Sequence, residues 1–506
     1  MIGKGVDRTG SSPAEWRSDM IGKTISHNKI LEKLCECGCD AFSYLRRFQM
    51  QLRTSGGKTT PDAAPVLSLC ALILLCTVGT ARAQHGVDPA WGPEMQITAD
   101  GLNASGAVGR QLAIDQAGYY HVVYQNLDTW NVFYTRSMDA GSTWISPVQL
   151  STGTFAASGP VIALGQSGTL HVCWLNRVEG GENRIHYTRF IPGTGWEAPR
   201  DISGALALDC AIATLVADTS DRVHLAWHIG DASLEEYDPS EAARVYYTRS
   251  TNGGDTFETP QQISDSPDRH AAWPRLSLRG TDGDLLAFAW RDNRNHPDWD
   301  IYAAVSTDGG DTFEEYPVSE APNKEEWDPE AAVDPYGVIH VTYFDDPGPI
   351  VHYRRSTDGG STWSSEVDLS DYRGTFPSFA YHPATSRLWV LWKDERDRVN
   401  PGDRRSDIIT CYSDDGGSHW SDHEFVTDLG DIDVRYPSIA IDPQGIPVVE
   451  WTDLRNGTAQ STMFLKRRDY PVPAVSLAGI VIVTMLTLAA AGLALQRRRD
   501  RKIGRT

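Results

Sequence analysis

STDGGSTW, residues 356–363, is one of five near-copies of a single phrase. SMDAGSTW begins at Ser137, STNGGDTF at Ser250, STDGGDTF at Ser306 and SDDGGSHW at Ser413. A decayed copy, RFIPGTGW, begins at Arg189, so the starts recur every 50 to 61 residues. The text around the phrase recurs as well. Upstream stands an apolar run closed by Trp or Tyr (LHVCW, VHLAW, LLAFAW, IHVTY, LWVLW, PVVEW). A polar loop follows, then a run such as IHYTR, VYYTRS or VHYRRS, then the phrase, then a short segment such as SPVQLS or TPQQIS. Each unit therefore holds four short β-rich runs split by turn residues, and helical periodicity is nearly absent. Four strands per repeat of this length predict a propeller blade, whereas a β-sandwich does not repeat its sequence at such a period.

Six full units run from about residue 108 to 430, and a seventh begins at DVRYPSIAID and stops after three runs. WGPEMQIT, residues 91–98, matches the segment that follows the phrase elsewhere (WISPVQLS). The N-terminal stretch is expected to supply the missing outer strand and close the ring, leaving no free edge. The expectation is an all-β, seven-bladed β-propeller over residues 90–468, with six blades as the alternative count.

Within the phrase, an Asp side chain accepts hydrogen bonds from its own turn, Gly supplies a positive φ and the Thr hydroxyl adds a local bond. Asp139, Asp308, Asp358 and Asp415 are therefore read as structural turn residues. A calcium loop needs more ligands than one turn offers, and an active site does not need five copies. No metal and no cofactor are expected.

Residues 66–78 are an apolar run followed by Ala81-Arg82-Ala83, the pattern of a secretory signal cut after Ala83. The 65 residues before it exceed an ordinary n-region, and Met50 is a candidate start. The other reading is a cytoplasmic extension whose Cys35, Cys37 and Cys39 bind a metal, though no second Cys/His cluster completes such a site. Residues 472–495 carry no charge across 24 positions and are followed by QRRRDRK. That is the length of a transmembrane helix, and the basic tail 496–506 belongs on the cytoplasmic side. The expected product is a single-pass surface protein with its propeller outside the cell. The formal charge is −21 overall and −29 over residues 66–495, which makes nucleic acid a poor partner. Cys173, Cys210 and Cys411 are too few for a disulfide framework.

The repeated phrase resembles the Asp box, or bacterial neuraminidase repeat, of the sialidase superfamily, over roughly residues 90–468. The resemblance implies a propeller with the boxes on one rim and function on the other. It also implies a candidate chemistry: removal of terminal sialic-acid-type sugars from glycans. Sialidases use arginines to grip a carboxylate, a Tyr nucleophile, a Glu that assists it and an Asp acid/base. Arg435-Tyr436-Pro437 is the nearest match to the family's Arg-Ile-Pro, and Trp273-Pro274-Arg275 is a scrambled one; Arg110 opens the first unit's inner strand. The charged loops after the second strand supply the other candidates. Arg291, Arg294, Arg396, Arg435 and Arg455 are assigned to substrate binding, Tyr436 and Glu450 to the nucleophile and its helper, and Asp394 and Asp453 to acid/base work. Trp130, Trp299 and Tyr237 offer faces for sugar rings.

The chain departs from the family pattern in its count of seven blades rather than six, and in the placement of the Arg-Ile-Pro match in the last blade. Its acidic surface also disfavours an anionic sugar. Two classes of function stay open: a sialidase-type exo-glycosidase, or a non-catalytic propeller that binds a glycan or a surface glycoprotein. Three converging arginines would favour the first, and a channel of scattered aromatics and carboxylates the second.

Overall fold

The computed structural model describes residues 87–469, apart from 100, 108, 205–208, 231–241, 267–268, 280–282, 296–297, 321, 383–385, 397, 399–404 and 456–459. The expected signal segment, the C-terminal span and Tyr237 lie outside the described residues. Among those described there is no helix, and so none long and apolar enough to cross a membrane.

Among the described residues thirty strands form seven antiparallel sheets, one per sequence unit, so the count of seven blades holds and that of six does not. In a complete blade the chain runs from the inner strand outward, as in the fourth: Ala271–Leu278, Leu286–Asp292, Asp300–Ser306 and Glu314–Ser319. The apolar runs ending in Trp or Tyr are the second strands. They are buried on both faces because each blade is packed between two others, which explains why they read as near-continuous apolar segments.

The seventh blade takes its outer strand from the other end of the chain. Met95 pairs with Leu465 and Gln96 with Phe464, while Trp91 bridges Arg468. The Trp91 indole donates to Glu424 (3.2 Å), and Arg468 holds both oxygens of the same carboxylate (2.8 and 2.7 Å).

The repeated phrase closes a turn and also joins blades. In the copy at 356–363, Asp358 Oδ1 accepts from Ser356 Oγ (2.8 Å) and Thr362 N (2.9 Å), and Oδ2 accepts from Thr362 Oγ1 (2.6 Å). The terminal aromatic packs edge-on against a Tyr of the preceding blade: Trp196 on Tyr134, Phe257 on Tyr187, Phe313 on Tyr247, Trp420 on Tyr353. Each of these Tyr hydroxyls bonds Nδ1 of a buried His in its own blade at 2.7–2.8 Å (His121, His171, His224, His340). The second glycine of three of these boxes is required by that contact. Gly254, Gly310 and Gly417 all have positive φ, and a Cβ there would collide with the hydroxyls of Tyr187, Tyr247 and Tyr353. Two residues beyond each of these tyrosines, Arg189, Arg249 and Arg355 reach box carbonyls in the next blade (Gly253, Gly309 and Gly416). The recurrent Tyr-x-Arg text is thus a latch from each such blade to the following box.

Candidate functional site

The inner strands line the axis, and six of them carry the same defect. The register with the second strand slips by one residue near the strand's start in blades two to seven. The slipped residue has a left-handed backbone in every case: Gly159, Ile212 (φ 44), Trp273 (φ 62), Asp328 (φ 43), Phe376 (φ 52) and Tyr436 (φ 50). Five are not glycine, and such a conformation costs about 1–3 kcal/mol per residue. Pro follows in five of the six. Bulges of this kind re-aim side chains beside functional sites. Here they ring the axis on the rim opposite the boxes, because an inner strand begins beside the end of the second strand, whereas the boxes join the third to the fourth.

A small axial cavity, open to solvent, lies at this level, lined among others by Arg275, Asp328, Glu330, Phe376, Ser378 and Tyr436. Arg275 Nε donates to Glu330 Oε1 across blades four and five (2.9 Å), and both side chains are nearly enclosed. Burial raises the carboxyl of Glu330, opposed by Arg275 and Arg110. Asp328 is pushed up to about 6, chiefly by burial and against the pull of Arg275 and Arg291. Its Oδ1 is buried without a hydrogen-bond partner. The Tyr436 ring stands edge-on to Phe376, with centroids 6.2 Å apart. The arrangement combines aromatic faces with a carboxylate that has spare acceptor capacity and an arginine–carboxylate pair. Such a set suits the hydroxyls and ring faces of a sugar.

Of the residues expected from sequence, Tyr436 lines this cavity. Glu450 does not pair with it: its two oxygens are buried with no hydrogen-bond partner, and burial lifts its carboxyl to about 8. Glu450 shares a strand face with Val448, which packs between blades seven and one with Met463 and Leu465.

Arg294, Arg396 and Arg455 are not brought to a common point. Each closes a small loop after a second strand, in which a Trp indole donates to an Asp and the Arg two residues on grips the same Asp. Trp290, Asp292 and Arg294 do so in blade four; Trp392, Asp394 and Arg396 in blade six; Trp451, Asp453 and Arg455 in blade seven. Arg294 continues to Glu315 and Arg455 to Glu94, both on outer strands or beside them, and Arg396 lies over Tyr372 and Phe425. Asp394 and Asp453 are enclosed by these contacts and do not line the axial cavity. Arg435 pairs with Asp433 (2.9 Å), which also receives Lys393 (2.9 Å).

Arg291 is buried among Trp273, Trp299 and Trp327, with ring centroids 4.6, 4.4 and 4.1 Å from its guanidinium carbon. Its Nε and Nη1 have no hydrogen-bond partner, and burial lowers it to about 10, with Asp328 and Glu325 opposing. Trp299 is thus engaged by a cation, whereas Trp130 is half exposed at a left-handed position. Asn103, which begins an Asn-x-Ser acceptor sequence, uses its side chain on Asp128 and Ser461. Asp328 and Glu330 were missed by sequence reasoning. The repeated x-Pro dyads near the inner-strand starts were the signal that could have found them.

The model of the BNR repeat-like domain matches residues 182–448, just over half of the chain. No curated protein matches the sequence. Among solved structures, a polysaccharide lyase described as an ulvan lyase, bound to -[GlcA(1-4)Rha3S]-, superposes with a TM-score of 0.51. Its identity is 12%, over 74% of this chain and 94% of that one. The polysaccharide lyase Uly1 gives 0.51 at 10% identity over 75% and 99%. The NanB sialidase from Streptococcus pneumoniae gives 0.44 at 11% identity over 70% and 84%. At these identities the likeness concerns the fold alone.

Proposed function

The chain belongs to the BNR repeat-like domain family, and from that premise we propose that its propeller binds a glycan at the axial cavity. The reading includes display of the propeller outside the cell on the expected C-terminal span. The observation that carries it is the axial set itself: Asp328 with an unpartnered oxygen, beside the Arg275–Glu330 pair and the rings of Phe376 and Tyr436. The strained bulges that present these side chains support a binding role, since such strain persists where the surrounding structure over-determines it. The arginines tied within their own blades, and the absence of a Tyr436–Glu450 pair, weigh against a sialidase mechanism. The axial carboxylates favour a sugar whose hydroxyls donate hydrogen bonds.

A second reading, glycoside hydrolysis, is favoured by one observation. The Asp328 carboxyl is held near 6, within the range of a general acid. The purified chain should be tested against a glycan array and, in parallel, a panel of fluorogenic glycosides including a sialoside. Binding that is lost in Asp328→Asn and Phe376→Ala, with no turnover, is the expected result. Binding that survives both substitutions would refute the axial site, and turnover abolished by Asp328→Asn would establish the second reading.

A further inference from the structure

We propose that His352, Glu366 and Asp368 form a zinc-class metal site on the outer edge of the fifth blade, separate from the axial cavity. His352 lies on the third strand, Val351–Ser356, and is buried, with 3% of its surface exposed. Asp368 lies directly opposite it on the two-residue outer strand Val367–Asp368, and Glu366 immediately precedes that strand. His352 Nδ1 is 2.9 Å from Asp368 Oδ1 and 3.5 Å from Glu366 Oε1. The three donor atoms lie within 4.8 Å of one another. Two donors held tetrahedrally by one zinc ion, each about 2.1 Å from it, stand about 3.4 Å apart. The Glu366 contact already has that spacing, and the exposed Asp368 carboxylate, now at hydrogen-bond length, would move outward slightly to share an ion.

The surroundings orient the donors. His352 Nε2 lies 3.3 Å from Asp345 Oδ1 without completing a hydrogen bond, and a small turn of the ring would set that carboxylate behind the imidazole as in a carboxylate–histidine–metal relay. Asp345 is itself held by Ile350 N (3.0 Å) and Lys324 (2.5 Å). His352 Nδ1 stands at hydrogen-bond distance from Asp368 Oδ1, the contact that a bound ion would replace. A cation there would displace the Nδ1 proton and gather that nitrogen and the two carboxylate oxygens, which already stand within 4.8 Å of one another. On Glu366, the buried Tyr343 hydroxyl donates to Oε2 (2.5 Å), and Arg354 stands 3.9 Å from the same oxygen, so Oε1 is the atom left to the cluster. One imidazole nitrogen with two carboxylate oxygens and an open, solvent-facing fourth position fits zinc. Calcium and magnesium call for larger all-oxygen sets. The bound ion would pin the short outer strand to the third strand, a role outside glycan binding.

The test uses the full chain carrying Cys35→Ser, Cys37→Ser and Cys39→Ser, which removes a competing thiolate cluster. After chelation, zinc is titrated calorimetrically and cobalt(II) by its visible absorption. One equivalent bound with micromolar affinity, a cobalt band and a zinc-dependent rise in Tm are expected. Asp368→Asn, at an exposed position, should weaken binding at least about tenfold and His352→Ala should abolish it, both leaving glycan binding unchanged. No stoichiometric binding, binding indifferent to both substitutions, or an equal effect of calcium or magnesium would overturn the proposal.

Discussion

Replacing Glu450 with methionine should stabilise the propeller, by an amount that grows with pH. The carboxyl is enclosed between blades seven and one, bonds to nothing and is raised from 4.5 to about 8 by burial. Between these values the unfolded chain has released the proton while the folded chain retains it, so stability falls as pH rises from about 4.5 to 8 and then levels. At 1.36 kcal/mol per unit, the penalty accumulated by pH 7 is about 3 kcal/mol. The neutral acid also leaves its hydrogen bonds unmade, costing about 1–3 kcal/mol. Methionine of similar length beside Val448, Met463 and Leu465 costs under about 1.5 kcal/mol in repacking. The net gain at pH 7 should therefore be about 2.5–6 kcal/mol, and about 2.5 kcal/mol smaller at pH 5. Chemical denaturation of both proteins at pH 5, 7 and 8.5 measures it. A variant less stable at pH 7, with a gap that does not widen with pH, would refute the reasoning.

Arg455→Ala should lower stability by about 2–4 kcal/mol, because Asp453 is left buried with only the Trp451 indole and a backbone amide, and glycan binding should persist; calorimetry with a binding assay separates the two. Gly417→Ala should cost about 2–4 kcal/mol, since it combines a left-handed backbone with a methyl placed against the Tyr353 hydroxyl; the denaturation midpoint reports it. Glycan affinity should rise with pH through about 6 as Asp328 ionises and becomes a better acceptor, and Asp328→Asn should flatten that profile in titrations at pH 5 to 8. The Asp328 carboxyl is raised above its unfolded value of 3.8, so its own contribution to stability should decline between about pH 3.8 and 6, which the same series of denaturation curves checks.

The blades were legible because each one repeats its own text. The second-strand runs ending in Trp or Tyr recur in every blade and the STDGGSTW-type turns, one of them decayed, in the first six, and WGPEMQIT could be matched to a strand position that the last unit lacked. The axial site was far less legible. Arg275 meets Glu330 across 55 positions of chain, a contact set by how two blades face one another. The Asp-x-Arg loops looked like a converging cluster because they occupy one position in three blades. Each arginine nevertheless finds a partner inside its own blade, at Glu315, Glu94 or the rings of Tyr372 and Phe425, and only the folded register reveals these. The same limit applies to His352 and Asp368, whose opposition depends on the pairing of two adjacent strands.

The latches have gaps, and the one at the fourth blade adjoins the axial site. Where the other latched blades place His, Tyr and Arg, the fourth has Ala287, Ala303 and Val305, and its contact with the next box is made by Val305 and the Tyr316 ring. On the opposite rim of that same junction, Arg275 and Glu330 span the blades and Asp328 lies near the Trp-bound Arg291. The seam between blades four and five is therefore greased at one edge and charged at the other. The box of the first blade also meets apolar side chains, Met95 and Leu465 of the seventh, so compliance is shared between two seams, of which that of blades four and five faces the axial charges. Widening of the axis at that seam, to admit a larger guest, would move the recognition charges themselves.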